Sequence, residues 1–124
     1  LVIGRVGPGA RQATLELVLR SPAGDEVQIT AIVDTGFTSE LALPEALTRQ
    51  FGLSRRGTQR ALVADGRVVR LKTFNATVLW DGGSRPVRVL AASGPPLVGM
   101  AFLRGYELLM RIVEGGEVTL SALA

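Results

Sequence analysis

The most restrictive feature of the sequence is a two-residue period that carries an apolar face from Leu15 to Val33 and stops at an acid. Leu15, Leu17 and Leu19 alternate with Glu16, Val18 and Arg20. After Ser21-Pro22-Ala23-Gly24-Asp25, the pattern resumes as Val27, Ile29, Ala31 and Val33, alternating with Gln28, Thr30 and Ile32. Successive strand side chains point to opposite faces, so this alternation specifies strands, whereas a helix needs apolar positions three or four apart. The residues between the runs are turn formers, and the two runs read as a hairpin. The second run ends in Asp34-Thr35-Gly36, a carboxylate, a hydroxyl and a glycine at the mouth of a tight loop. Burying a carboxylate is costly unless it is paired or hydrogen-bonded. The stretch from Ala31 to Ser39 is therefore where chemistry is expected.

The rest of the chain turns often, with 15 glycines and 6 prolines in 124 residues, which suits short strands. Leu41-Ala42-Leu43 reads as a strand. Pro44 to Gly52 reads as a short helix, with a proline start, Glu45 in the first turn and a glycine stop, and with Leu43, Leu47 and Phe51 on one face. Arg60–Ala64 and Val68–Leu71 flank Asp65-Gly66, a strong hairpin signal. Strand character continues through Phe74, Ala76, Val78 and Trp80, turns at Asp81–Ser84 and returns through Pro86–Ala91. Leu97-Val98 reads as a strand ending at Gly99, and Ala101–Gly105 as one helical turn. Tyr106–Ile112 and Val118–Leu120 are strands around Glu114-Gly115-Gly116. About eight or nine short strands and one or two helices imply an all-β barrel or sandwich. Residues 1–124 read as a single domain, with residues 1–12 as an N-terminal extension or interface strand.

Histidine and cysteine are both absent. That excludes disulfides, thiol nucleophiles, Ser-His-Asp triads and most zinc sites. Carboxylates, hydroxyls, arginines and the single lysine, Lys72, remain, and no metal or organic cofactor is expected. The net charge of +3 is carried almost wholly by arginine. The arginines are scattered, and Val68-Val69-Arg70-Leu71-Lys72 alternates charge with apolar residues. That reads as a solvated strand face, and no nucleic-acid partner is expected. No run of about 18 apolar residues exists to span a membrane, and Leu1-Val2-Ile3 is too short for the core of a signal peptide. The chain begins at Leu1 rather than Met, which leaves an upstream anchor or signal open. The expected compartment is the cytoplasm.

Asp-Thr-Gly alone has another meaning, an aspartate that caps backbone donors in an Asx-type turn. Its surroundings add to it. Apolar residues precede the motif, Thr38-Ser39 and Leu41-Ala42-Leu43 follow, the Asp65-Gly66 hairpin comes later, and Leu97-Val98-Gly99 later still. In that order, from about Leu15 to the C-terminus, the chain resembles a retropepsin-like aspartic protease, most of all the small single-domain members of that clan found in prokaryotes. The resemblance implies an all-β, closed-barrel acid-protease lobe with one or two short helices, one lobe per chain, active as a two-fold homodimer. It implies that Asp34 is the catalytic aspartate, that Thr35 bonds across to the partner's matching loop, and that the Gly36 N–H faces the carboxylate. It makes Ala61–Leu71 a flap whose tip, Ala64-Asp65-Gly66-Arg67, closes over a peptide or protein substrate. Phe37, Thr38 and Val98 would also contact substrate. Leu97-Val98-Gly99 would pack behind the catalytic loop, and Gly99 to Arg104 would be the short C-terminal helix. The implied activity is endopeptidase, with water activated by an Asp34 pair. The alternative is a catalytically weak or inactive retropepsin-like dimerisation or peptide-binding module.

Three positions depart from the family pattern. Phe37 stands where many relatives carry a small or hydroxyl residue, and it cannot donate a hydrogen bond to Asp34; a milder pH optimum than pepsin's is expected. Met100-Ala101 follow Gly99 where Arg or Met and then Asp or Asn are common, so the polar link from this helix to the catalytic loop is expected to be weak or to come from Arg104. The flap tip lacks both an aromatic and a glycine-rich run. Elsewhere, Glu40 reads as an exposed acid, Phe74 and Trp80 as core, Arg67 as solvated and Lys72 as a residue with no partner implied by spacing.

Overall fold

The alternating runs fold as strands. The computed structural model describes residues 2–62, 65–80 and 82–124. Their order is β1 (Val2–Val6), a 3-10 turn (Pro8–Ala10), β2 (Ala13–Arg20), β3 (Glu26–Val33), β4 (Leu41–Leu43), α1 (Glu45–Gln50), β5 (Ser54–Leu62), β6 (Val68–Trp80), β7 (Gly83–Ala91), β8 (Leu97–Val98), α2 (Met100–Leu103), β9 (Tyr106–Met110) and β10 (Glu117–Ala122). With 56% of residues in strands and 11% in helices, the all-β expectation holds.

The strands join in the order β5-β6-β7-β4-β8-β3-β2-β1-β10-β9, and a further β6–β2 pairing closes the middle of the sheet into a barrel. Closure works because β2 and β6 each divide one edge between two partners. β2 pairs with β1 through Ala13–Leu15 and with β6 through Val18–Arg20. β6 pairs with β5 through Val68–Asn75 and with β2 through Thr77–Leu79. A closed ring leaves fewer unpaired edges.

The inward face of the β2–β3 hairpin is Leu15, Leu17, Leu19, Ile29 and Ala31, all buried. Leu41, Val78, Val89, Val98, Phe102 and Leu120 complete the centre. Each such side chain contributes about 1.5–3 kcal/mol on burial. Phe74 is buried, as expected. Trp80 is half-buried, edge-on to Phe102 at 5.1 Å between ring centres, and its indole N–H donates to the Tyr106 hydroxyl at 2.8 Å.

Three details differ from the sequence reading. β5 starts at Ser54, in a polar stretch with no apolar alternation; pairing with β6 holds it there rather than burial. In α1 the buried residue is Thr48, whose hydroxyl donates to the Glu45 carbonyl at 2.6 Å, while Leu47 and Phe51 are only half-buried. Val2–Val6 lies between β2 and β10 and pairs with both. Among the described residues, no helix is long and apolar enough to cross a membrane.

Candidate active site

β3 delivers Asp34 into a loop that is braced from behind. β8 runs parallel to β3, with Val33 opposite Val98, and antiparallel to β4, with Leu41 opposite Val98. It therefore sits between the strand that enters the loop and the strand that leaves it. The Ile32 N–H donates to the Pro96 carbonyl and the Asp34 N–H to the Val98 carbonyl, each at 2.9 Å. Beyond β8, the Gly99 N–H donates to the Glu40 carbonyl at 3.0 Å, Met100 to Phe37 at 2.8 Å and Ala101 to Ser39 at 3.3 Å. Both arms of the loop are thus bonded to the β8–α2 segment.

Gly99 is required there by space. A Cβ at this position would stand 2.2 Å from the Ser39 carbonyl oxygen and 2.5 Å from that of Phe37. Its φ of −109° suits any residue, so the close backbone approach is what demands glycine.

Within the loop, the Gly36 N–H donates to Asp34 Oδ1 at 3.0 Å and the Phe37 N–H to the Asp34 carbonyl at 3.1 Å. The Asx contact and the Gly36 geometry implied by the resemblance are the same bond. Asp34 and Phe37 are half-buried; Thr35, Gly36 and Thr38 are exposed.

The predicted flap is the β5–β6 hairpin. Gly66 has φ +87°, which a turn here needs, and Asp65 accepts from the Arg67 N–H at 3.0 Å and from its Nε at 2.6 Å. Arg67 is exposed but tied to Asp65. Leu62 and Val68, paired across the hairpin, are exposed by 74% and 53%. Ala64 and Val63 lie outside the described residues. The Gln59 amide reaches the Ser39 hydroxyl at 3.5 Å, which brings the base of the hairpin to the loop. Val98 is placed differently from the substrate contact expected of it. It is fully buried between β3 and β4, so it can reach no ligand, and its carbonyl serves the Asp34 N–H instead.

Sequence reasoning missed Glu40 and Arg85. Glu40 is not a free acid: Oε1 accepts from the Arg88 backbone N–H at 2.9 Å and Oε2 lies 3.5 Å from Arg85. Arg85 also donates to the Phe102 carbonyl at 2.9 Å and the Ala101 carbonyl at 3.4 Å, with its guanidinium 4.4 Å over the Phe102 ring. The polar tie that Met100-Ala101 cannot supply is therefore made by Arg85, from β7. Arg104 is exposed just past α2. Lys72 also has a partner, Glu45 at 2.7 Å. The bond donated by Lys72, then its charge, holds the Glu45 carboxyl below the ordinary glutamate value. Among the described residues, no group of three or more His, Cys, Asp or Glu could hold a metal.

Two recesses adjoin the loop. One, of about 600 Å³, is walled by Thr35, Met100, Leu103, Tyr106 and Leu108. The other is polar, of about 460 Å³, and includes Ser39, Arg56, Gln59 and Arg88. Thr38, Ala101 and Arg104 line both.

The crystal structure of a retropepsin-like aspartic protease from Rickettsia conorii matches this architecture with a TM-score of 0.62, over 100% of this chain and 92% of that one, at 18% identity. The fold is retropepsin-like. No family model and no curated protein matches the sequence. The retropepsin-like lobe presents the Asp34 loop with α2 bonded behind it and the β5–β6 hairpin meeting it at Ser39.

Proposed function

We propose that this chain is an aspartic endopeptidase that works as a two-fold homodimer, each copy supplying one Asp34. The observation that carries the reading is the Asp34 loop itself. In a retropepsin-like fold, a half-buried carboxylate sits at the end of β3, 3.0 Å from the Gly36 N–H, on a loop bonded along both arms to β8 and α2. A carboxylate so held is positioned for chemistry and still meets solvent.

Peptide hydrolysis of this kind needs two carboxylates that share a proton. One takes a proton from water while the other gives one to the scissile carbonyl. Like charges about 3 Å apart cannot both ionise, which keeps the proton between them. The chain carries one Asp34-Thr35-Gly36, and an isologous dimer supplies the second without further sequence. Thr35, exposed on this lobe, is the group that would reach the partner's loop. The substrate would lie as an extended strand along Phe37 and Thr38, under the hairpin tip at Asp65, Gly66 and Arg67.

The test is cleavage of an unfolded protein or a peptide library from about pH 3 to pH 8, wild type beside Asp34→Asn and Asp34→Ala. The reading expects turnover that falls by at least about 10²–10⁴-fold in both variants. It also expects a dimer in sedimentation under cleaving conditions. Equal, negligible turnover in all three proteins would sink it.

A further inference from the structure

We propose that the arginine-lined recess beside the Asp34 loop is a subsite for an acidic side chain of the substrate peptide. This rests on the endopeptidase reading and names a substrate class for the same site. The recess, of about 460 Å³, opens between the end of the loop at Thr38 and Ser39, β5 at Arg56 and Gln59, β7 at Arg88, and Arg104 just after α2. Thr38 belongs to the loop that carries Asp34, so an extended peptide lying along that loop passes the mouth of the recess. Strand side chains alternate at about 3.3 Å per residue, and one of them is delivered into it.

The charges of the wall do not cancel. Arg56, Arg88 and Arg104 face one carboxylate, Glu40. Glu40 is already taken by the Arg88 backbone N–H and by Arg85, which lies outside the recess. Among the described residues, the Arg56 guanidinium meets only a neutral side-chain oxygen, Asn75 Oδ1 at 3.2 Å. Among the described residues, the ion pairs engage Arg20, Arg49, Arg67, Lys72 and Arg85, and none engages Arg56, Arg88 or Arg104.

The backbone gathers these groups. The β5–β6 register passes from Arg55 opposite Phe74 to Gly57 opposite Thr73, which leaves Arg56 as the extra residue of a bulge. A bulge re-aims the side chain it carries. Here it turns Arg56 onto Asn75, the cross-strand partner of Arg88. Arg56, Asn75 and Arg88 thus share the face opposite the buried Phe74, Val87 and Val89. Like charges collected in one recess repel one another, and an entering anion relieves that repulsion. The planar guanidinium fork matches a carboxylate, and the Thr38 hydroxyl and Gln59 amide add neutral donors. The arginines ring a pocket rather than marking out a track for successive phosphates, which favours a single acidic side chain over a nucleic acid.

The test pairs cleavage with binding. Wild type acting on a peptide library is expected to enrich Asp and Glu at one fixed position from the cut bond. A Glu peptide is expected to be cleaved at least about 10-fold faster, as kcat/KM, than its Gln counterpart. Charge reversal in Arg88→Glu/Arg104→Glu is expected to abolish that preference and favour Lys at the same position; Arg88→Gln/Arg104→Gln, a milder change at exposed sites, is expected to flatten it. Cleavage without acidic preference, or a preference that both double variants keep, overturns the subsite while the endopeptidase reading stands. Binding reads the subsite without turnover. Anisotropy of a labelled Glu-rich peptide on the Asp34→Asn chain is expected to weaken at least about 10-fold on charge reversal. No binding, or binding of an oligo-dT strand that the same reversal abolishes, overturns it.

Discussion

Arg85 and Glu40 stand 3.5 Å apart, and together they tie the end of the Asp34 loop to the helix behind it. Glu40 closes the loop at the start of β4, while Arg85 reaches from β7 to the last carbonyls of α2. The guanidinium serves two carbonyls, a carboxylate and the face of Phe102 at once.

Arg85→Ala is therefore expected to destabilise the protein by about 1.5–3 kcal/mol, the usual range for hydrogen bonds to a charged group that leave partners unpaired. Arg85→Lys is expected to recover only part, because one ammonium cannot replace a planar fork at several acceptors. Urea unfolding midpoints measure both. A midpoint unchanged in Arg85→Ala would show that the α2 contacts hold without it.

Gly99→Ala is expected to cost about 1–3 kcal/mol, since the added methyl collides with the Ser39 and Phe37 carbonyl oxygens and both belong to the loop. Gly57→Ala is the control. Its new Cβ would meet only Thr73 Oγ1, at 3.9 Å, and the change is expected within about 0.5 kcal/mol. Thermal unfolding of the pair distinguishes crowding at the loop from a general effect of alanine.

The bond from Lys72 lowers the proton affinity of Glu45 in the folded chain. A carboxyl depressed on folding stabilises the fold above its ordinary titration range and loses that contribution as the pH falls through the lowered value. In Lys72→Gln, the Glu45 carboxyl carbon is expected to titrate at higher pH than in wild type by NMR. The pair is surface-exposed, so the melting midpoint is expected to stay nearly unchanged. A Glu45 titration that ignores the Lys72 substitution would contradict the assignment.

Phe37 offers Asp34 a backbone N–H, already used on the Asp34 carbonyl, and no side-chain donor. If the chain is the endopeptidase proposed above, cleavage is expected to peak in the mildly acidic to neutral range. In the proposed enzyme, Phe37→Ser adds a hydroxyl on the Asp34 loop, and comparing its pH–rate profile with that of wild type tests whether a side-chain donor at this position matters. A wild-type maximum below about pH 3 would contradict this account of Phe37.

Much of the architecture was legible in the linear chain. Leu15, Leu17 and Leu19 had to share a face because strand side chains alternate, and their burial follows from that alone. The turns at Ser21–Asp25 and Asp65-Gly66 and the short helix after Pro44 were marked by local chemistry. The Asp34 loop was marked by its motif and by the apolar strand feeding it. β5 was not legible from Ser54 to Gln59, because its polar residues are held by backbone pairing to β6, which leaves no apolar pattern.

By itself, the sequence determined the inward face of the β2–β3 hairpin and the turns that bound it, because both depend on neighbours a few positions away. The tertiary structure alone decided which distant groups meet. Parallel pairing of β7 with β4, the strand that leaves the loop, lays β7 beside it, and only then does Arg85 find Glu40. The bulge in β5 turns Arg56 onto the face of Arg88, and β8 slides between β3 and β4 to bury Val98. Burial is written in local periodicity. The direction of a long charged side chain is set by whichever strands the closed sheet lays beside it, and no local pattern encodes that.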